Sequence, residues 1–288
     1  MVIIITSLII LGAALGSFIG VLVWRIKHNT DLDERVESGK LTRKSANSKK
    51  LSWINGRSIC EKCKHKLSVS DLIPILSWIF LCGKCRYCDK KIGILPLLLE
   101  IGVATAFVVS YLFWPIELNA MGIILLVIWL LIVVILTTLL IYDARWYLLP
   151  NKLVFPLIAL SVIFAILNYF FVQNLYIVDF ITTIVYGMIP IAGVYGFLWV
   201  ISRGEWVGFG DVKLGIAIGL LLPWQQGLIV LMAANILGIL AVLPNLINKK
   251  LKLRSKIPFG PFLIIATFGV ILFGQQIVDF AQKHLFLL

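Results

Sequence analysis

The apolar positions of this chain fall in long, nearly unbroken runs. Residues 2–24, 95–114, 121–142, 153–172, 179–201, 227–247 and 259–279 each approach or exceed the ~20 apolar residues that a helix needs to cross the hydrocarbon core of a bilayer. The exception is Val212 to Leu222, about half that length, set between Gly208-Phe-Gly-Asp211 and Pro223-Trp224. Polar residues gather between the runs, above all in 25–94. The pattern predicts an all-α polytopic membrane protein of about eight transmembrane helices with one large segment outside the membrane.

Lys and Arg set the direction of the spans. Between Arg25 and Lys91 there are 16 Lys/Arg against 7 Asp/Glu, and such a surplus beside spans marks the cytoplasmic side. Arg145 with Lys152, Arg203, and Lys249 to Lys256 mark further cytoplasmic loops. Arg203 and Lys249 are both inside only if the chain leaves and returns between them, so the short run must cross. A short helix entered through glycines implies non-helical backbone at membrane depth, which is tolerated where it lines a wet cavity or is buried in protein. Residues 208–211 are therefore expected beside a water-filled cleft. The predicted organisation is a first transmembrane helix over 1–24, a cytoplasmic domain over 25–94 and a seven-helix membrane unit over 95–288. Residues 28–52, polar and aperiodic, are expected to form a flexible loop, and Asp71 to Phe80 to lie along the membrane interface.

Composition agrees. Of 288 residues, 60% are apolar and 14% charged, whereas a water-soluble domain carries about a quarter of its residues charged. The net charge of +12 needs no nucleic acid, because it is concentrated in the loops beside the spans. The first 24 residues lack a basic leader region and are long enough to span, which predicts a retained helix instead of a cleaved signal. Gly12, Gly16 and Gly20 recur every four residues and predict a small-residue face for close helix packing.

All five cysteines lie in Cys60-Glu-Lys-Cys63 and Cys82-Gly-Lys-Cys85-Arg-Tyr-Cys88. The pairs Cys60/Cys63 and Cys85/Cys88, 21 residues apart, have zinc-ribbon spacing, in which each pair supplies two ligands of a tetrahedral thiolate site. Four thiolates saturate zinc, so the metal is structural, and a cytoplasmic setting keeps the thiols reduced. Cys82 and His65 are the alternative ligands. Cys82, after the apolar Ile79 to Leu81, is expected to be buried, and His65 to be an exposed loop histidine.

Charged groups in or beside hydrocarbon are costly and mark functional sites. Asp143, in Ile141-Tyr-Asp-Ala-Arg145, ends the third span, where a helix C-terminus disfavours a carboxylate. A salt bridge to Arg145 is its alternative use. Asp211 opens the short helix, where capping is the alternative use. Together they are two acids from different spans at one membrane face. Paired carboxylates sharing a water divide acid and base roles, since two like charges at close range do not both ionise. Asp143 and Asp211 are thus the predicted catalytic pair of an aspartic peptidase. Glu100 is expected to pair with a basic residue.

The ordered motifs extend further: Gly16-Ser-Phe18 with Arg25, Cys60-x-x-Cys63-x-His65-x-Leu67, Asp71-Leu-Ile-Pro74 with Leu76-Ser-Trp78, Cys85-Arg-Tyr-Cys88 and Pro96-Leu-Leu-Leu-Glu100. Asp143 seven residues before Pro150, Gly208-Phe-Gly-Asp211-Val-Lys213-Leu214 and Pro258-Phe-Gly-Pro-Phe262 complete them. Over nearly its whole length the chain resembles the type IV prepilin peptidases, bacterial membrane aspartyl proteases of the GxGD class. The resemblance implies catalysis by Asp143 and Asp211 and zinc on Cys60, Cys63, Cys85 and Cys88. It also implies a prepilin or pseudopilin substrate whose basic leader is removed at the cytoplasmic face of the bacterial inner membrane. Methylation of the new N-terminus with S-adenosylmethionine, at residues the motifs do not identify, rests on the resemblance alone. The chain departs from the family pattern at Gly20, Lys27, Glu61 and Asn151, where Asn, Pro, Pro and Asp respectively are frequent.

Two other readings make their own predictions. An ion-coupled transporter holding the aspartates at a midplane site predicts internal repeats with paired broken helices; this chain has one short helix and no repeat. A presenilin-like peptidase predicts Pro-Ala-Leu near the last spans, where Pro258-Phe-Gly-Pro stands instead.

Overall fold

A computed structural model describes residues 1–52, 58–60, 62–63, 65–173, 175–247 and 257–285. The basic loop Lys249 to Lys256 and Glu61 lie outside the described residues. The chain divides into two compact units, Met1–Val108 and Val109–Leu288.

The first unit is organised by α1 (Val2–Glu37) and α4 (Leu95–Leu112). Gly12, Ala13, Gly16, Ile19, Val23 and Ile26 are buried along one seam of α1 at three- and four-residue steps. A Cβ on Gly12 would stand 2.7 Å from Ala104 Cα, and one on Gly16 2.5 Å from the Leu99 carbonyl oxygen. These glycines bring two helix backbones together, as their spacing predicts. The helix does not stop at Trp24. Its seam continues through Asn29 and Leu32, and Lys27 pairs with Asp31 at 2.6 Å. Residues 28–52 are correspondingly not the loop expected: α1 runs to Glu37 and α2 (Arg43–Lys49) follows. The Asn29 amide bonds both backbone groups of Leu51, at 2.8 and 2.9 Å, and Arg25 Nη1 donates to the Ser52 carbonyl. Polar composition concealed a helix whose buried seam includes the amide side chain of Asn29 beside the apolar Leu32.

Beyond it, a single 3₁₀ turn (Ser70–Leu72) and the short α3 (Leu76–Phe80) leave Val69, Leu72, Ile73, Leu76, Ile79 and Phe80 exposed. Such an apolar edge suits the interfacial placement expected for 71–80. Ile75 has φ +65°, and the Leu76 N–H bonds the Pro74 carbonyl at 2.6 Å, a γ-turn of the strained hand. The buried Glu100 holds it, accepting the Ile75 N–H at 2.6 Å. Glu100 thus takes a backbone donor in place of the basic partner expected, and no ion pair among the described residues includes it.

The second unit contains α5 (Ala120–Trp146), α6 (Asn151–Leu167, continued by a π-helical turn to Val172), α7 (Ile177–Met188), α8 (Val194–Ile201), α9 (Phe209–Leu221), α10 (Trp224–Ile247) and α11 (Gly260–Leu285). A π-helical turn at Ile189–Gly193, containing Pro190, joins α7 and α8 into one span. Among the described residues, seven helices are long and apolar enough to cross a membrane. The eighth expected from loop charge is α9, whose 13 residues reach about 20 Å, short of a ~30 Å core. It is wrapped by α6, α7, α8 and the π turn, and Val212, Leu214, Ala217, Ile218, Leu220 and Leu221 are buried. Glycines allow this: a Cβ on Gly219 would meet Met188 Cα at 2.7 Å, and one on Gly187 the Gly219 carbonyl at 2.6 Å.

Candidate active site and metal centre

Asp143 lies on the last turn of α5, 5% exposed. Tyr147, in the left-handed conformation at φ +57°, ends the helix by donating to the Asp143 carbonyl at 2.8 Å. Leu148, Leu149 and Pro150 then turn the chain into α6. The side chain of Leu149 presses on α9: a Cβ on Gly210 would stand 3.0 Å from Leu149 Cβ. Only glycine lets the corner after Asp143 approach the helix that carries Asp211.

Gly208 occupies the capping position of α9, so Asp211 is not its cap but a first-turn residue. The carboxylates of Asp143 and Asp211 lie within electrostatic reach of each other. Lys213, two residues on, donates to Asn151 Oδ1 at 2.7 Å, and its ammonium sits 4.8 Å from the centre of the Phe209 ring.

The side chain of Asp143 is held by a residue to which the sequence motifs assign no role. Asp143 Oδ2 accepts the backbone N–H of Gly260, the first residue of α11, at 3.1 Å. A Cβ on Gly260 would stand 2.7 Å from that oxygen. The α5 C-terminus, which disfavours a carboxylate, is therefore offset by the N-terminus of α11, which favours one. Arg145 does not pair with Asp143; it is exposed and lies 5.9 Å from the Trp146 ring centre. The signal for Gly260 was the motif Pro258-Phe-Gly-Pro, whose proline at the second helical position suits a helix start.

In the first unit the Sγ atoms of Cys60, Cys63, Cys85 and Cys88 lie within 4.8 Å of one another. A tetrahedral zinc with Zn–S bonds of ~2.3 Å requires sulfur–sulfur separations of about 3.8 Å, so the four fit that ion. Two matching turns deliver them. Antiparallel bridges Ile59–Lys66 and Lys84–Lys91 close around each Cys pair, with Cys60 N–H on the His65 carbonyl and Cys85 N–H on the Lys90 carbonyl. Burial works to raise the Cys60 thiol, but backbone N–H groups of Cys63 and Lys62 outweigh it and bring it down to about 7. Burial raises that of Cys85.

Cys82 is exposed, not buried as expected, because it sits at φ +50° in the turn ahead of the second bridge. His65 lies against the Tyr87 ring with centroids 3.8 Å apart. Neither belongs to the cluster. Arg86, between the second pair of cysteines, donates to Asp71 at 2.7 Å. Burial opposes the Asp71 charge, yet the Ser68 hydroxyl and the Arg86 guanidinium hold its carboxyl down at about 2.

Residues 10–114 match the Bacterial Peptidase A24 N-terminal domain, and residues 124–243 match the Type IV leader peptidase family. The prepilin leader peptidase/N-methyltransferase of Dichelobacter nodosus is 29% identical over 274 residues, covering 91% of this chain and 89% of that protein. Its counterparts from Pseudomonas aeruginosa (28%, covering 93% and 90%) and Aeromonas salmonicida (27%, covering 91% and 88%) are similar over the same extent. No solved structure matches. Family models covering both halves and relatives aligned over nine-tenths of the length agree: this chain belongs to the type IV prepilin leader peptidase family, Peptidase A24.

Proposed function

We propose that this protein is a membrane aspartic endopeptidase that removes the basic leader from type IV prepilins or pseudopilins, with Asp143 and Asp211 as its reacting acids. The observation that carries the assignment is their meeting: two acids 68 positions apart along the chain, on α5 and α9, within electrostatic reach, one of them bonded by a helix N-terminus. In this role one acid, ionised, takes a proton from a water as its oxygen adds to the scissile carbonyl. The other, protonated, gives its proton to the carbonyl oxygen, and the leaving amine is protonated as the tetrahedral species collapses. The substrate is itself an apolar helix with a basic leader, which places cleavage where lipid meets cytosol. In this arrangement residues 1–24 are the first span, 25–94 the cytoplasmic zinc domain and 95–288 the peptidase unit of an inner-membrane protein.

We assign zinc to Cys60, Cys63, Cys85 and Cys88, where it cross-links two turns and carries no chemistry. The names of the relatives support a second activity, N-methylation with S-adenosylmethionine. Gly12 and Gly16 leave no room for that donor, because α4 fills the space beside them. The test is incubation of the purified full chain with a leader-bearing prepilin, followed by mass spectrometry of the product. Cleavage is expected from the wild type and abolished in Asp143→Asn and Asp211→Asn, because an amide cannot exchange the protons. Normal processing by either variant refutes the pair. A product heavier by one methyl group reports the second activity.

A further inference from the structure

The Tyr195 hydroxyl is buried without a hydrogen-bond partner, on a side chain only 6% exposed. A buried donor left unpaired destabilises a fold, and a catalytic role is one reason native proteins retain one. Tyr195 stands beside the helix that carries Asp211 and against the residue that precedes Gly260. It belongs to α8, which packs on α9, where a Cβ on the adjacent Gly196 would lie 3.8 Å from Val212. Its ring meets Phe259 edge-on at 5.6 Å, and Phe259 precedes the Gly260 whose N–H binds Asp143. Its hydroxyl lies within reach of the charge of Asp211.

We propose that Tyr195 is a further catalytic residue of the acid site, its phenol O–H donating a hydrogen bond to the oxygen of the scissile carbonyl as that carbon becomes tetrahedral. The phenol keeps its proton throughout; the proton that reaches the carbonyl oxygen comes from the protonated acid, as above. The acceptor arrives with the substrate, whose docking must part the side chains that cover the hydroxyl. A donor near Asp211 strengthens as negative charge gathers on that oxygen, so its contribution appears in the transition state and not in substrate binding. The inference rests on Asp143 and Asp211 being the reacting pair.

The experiment compares wild type, Tyr195→Phe and Asp211→Asn, each as the full chain in lipid, for cleavage kinetics on a leader-bearing prepilin and for Tm. Tyr195→Phe is expected to lower kcat by about 10- to 100-fold with KM nearly unchanged, while Tm holds or rises because an unpaired buried hydroxyl is gone. An unchanged kcat overturns the proposal. So does a Tm that falls together with activity, which would mean that the hydroxyl makes a structural bond. Cleavage by Asp211→Asn would instead refute the acid pair itself, and the role of Tyr195 with it.

Discussion

Gly260→Ala separates the chemistry of Asp143 from the stability of the fold. The added methyl would stand 2.7 Å from Asp143 Oδ2 and 3.3 Å from Cγ. Ordinary van der Waals contact begins at 3.4 Å, so the carboxylate must retreat by about 0.7 Å. The atom that yields is the end of a side chain, which makes the movement cheap for the fold. Alanine at a helix start changes helix stability by no more than ~1 kcal/mol. The chemistry is less forgiving: a misplacement of about 1 Å at reacting groups costs up to ~100-fold in rate. Gly260→Ala is therefore expected to lower kcat for prepilin cleavage by about 10- to 100-fold, or ~1.4 to 3 kcal/mol of barrier, with Tm unchanged. Mass spectrometry of product against time and a thermal melt in the same lipid decide it. A wild-type rate would refute the claim that the start of α11 positions Asp143, and a loss of activity that tracks a lowered Tm would show the glycine to be structural only.

Two further outcomes concern the first unit. Cys60→Ser is expected to lower bound zinc, measured by metal analysis, while Cys82→Ser leaves it at the wild-type level; full occupancy in the first variant would move a ligand to Cys82 or His65. Gly16→Ala drives a methyl to within 2.5 Å of the Leu99 carbonyl oxygen, which is backbone and cannot swing aside. It is expected to destabilise the packing of α1 on α4 by about 1 to 3 kcal/mol, read as a lowered Tm, and an unchanged melt would argue against that close approach.

Much of this protein was legible along the chain because each signal was local. Apolar runs of bilayer length name the spans without any knowledge of neighbours. The spacing of the C-x-x-C pairs marks the four cysteines that cluster, and the Gly-Phe-Gly-Asp motif marks the short helix by glycine density. Residues 28–52 look like a loop in the sequence for the converse reason. Asn29 bonded to Leu51 and Arg25 bonded to Ser52 tie that segment down, over separations of more than twenty residues that local polarity does not reveal. Cys82 misled likewise: its apolar forerunners suggested burial, but a left-handed turn presents it to solvent.

The amino-acid sequence by itself determined the membrane class and the helical architecture, and marked four cysteines and two acids as candidates, because hydropathy and ligand spacing are properties of short segments. Only the tertiary structure decided what surrounds those acids: Leu149 against Gly210, the Gly260 N–H on Asp143, and the Tyr195 hydroxyl beside Asp211. These contacts join residues from α5, α8, α9 and α11 and from the corner between α5 and α6. A chain specifies such meetings only through packing of all its surfaces at once, and no single segment carries them.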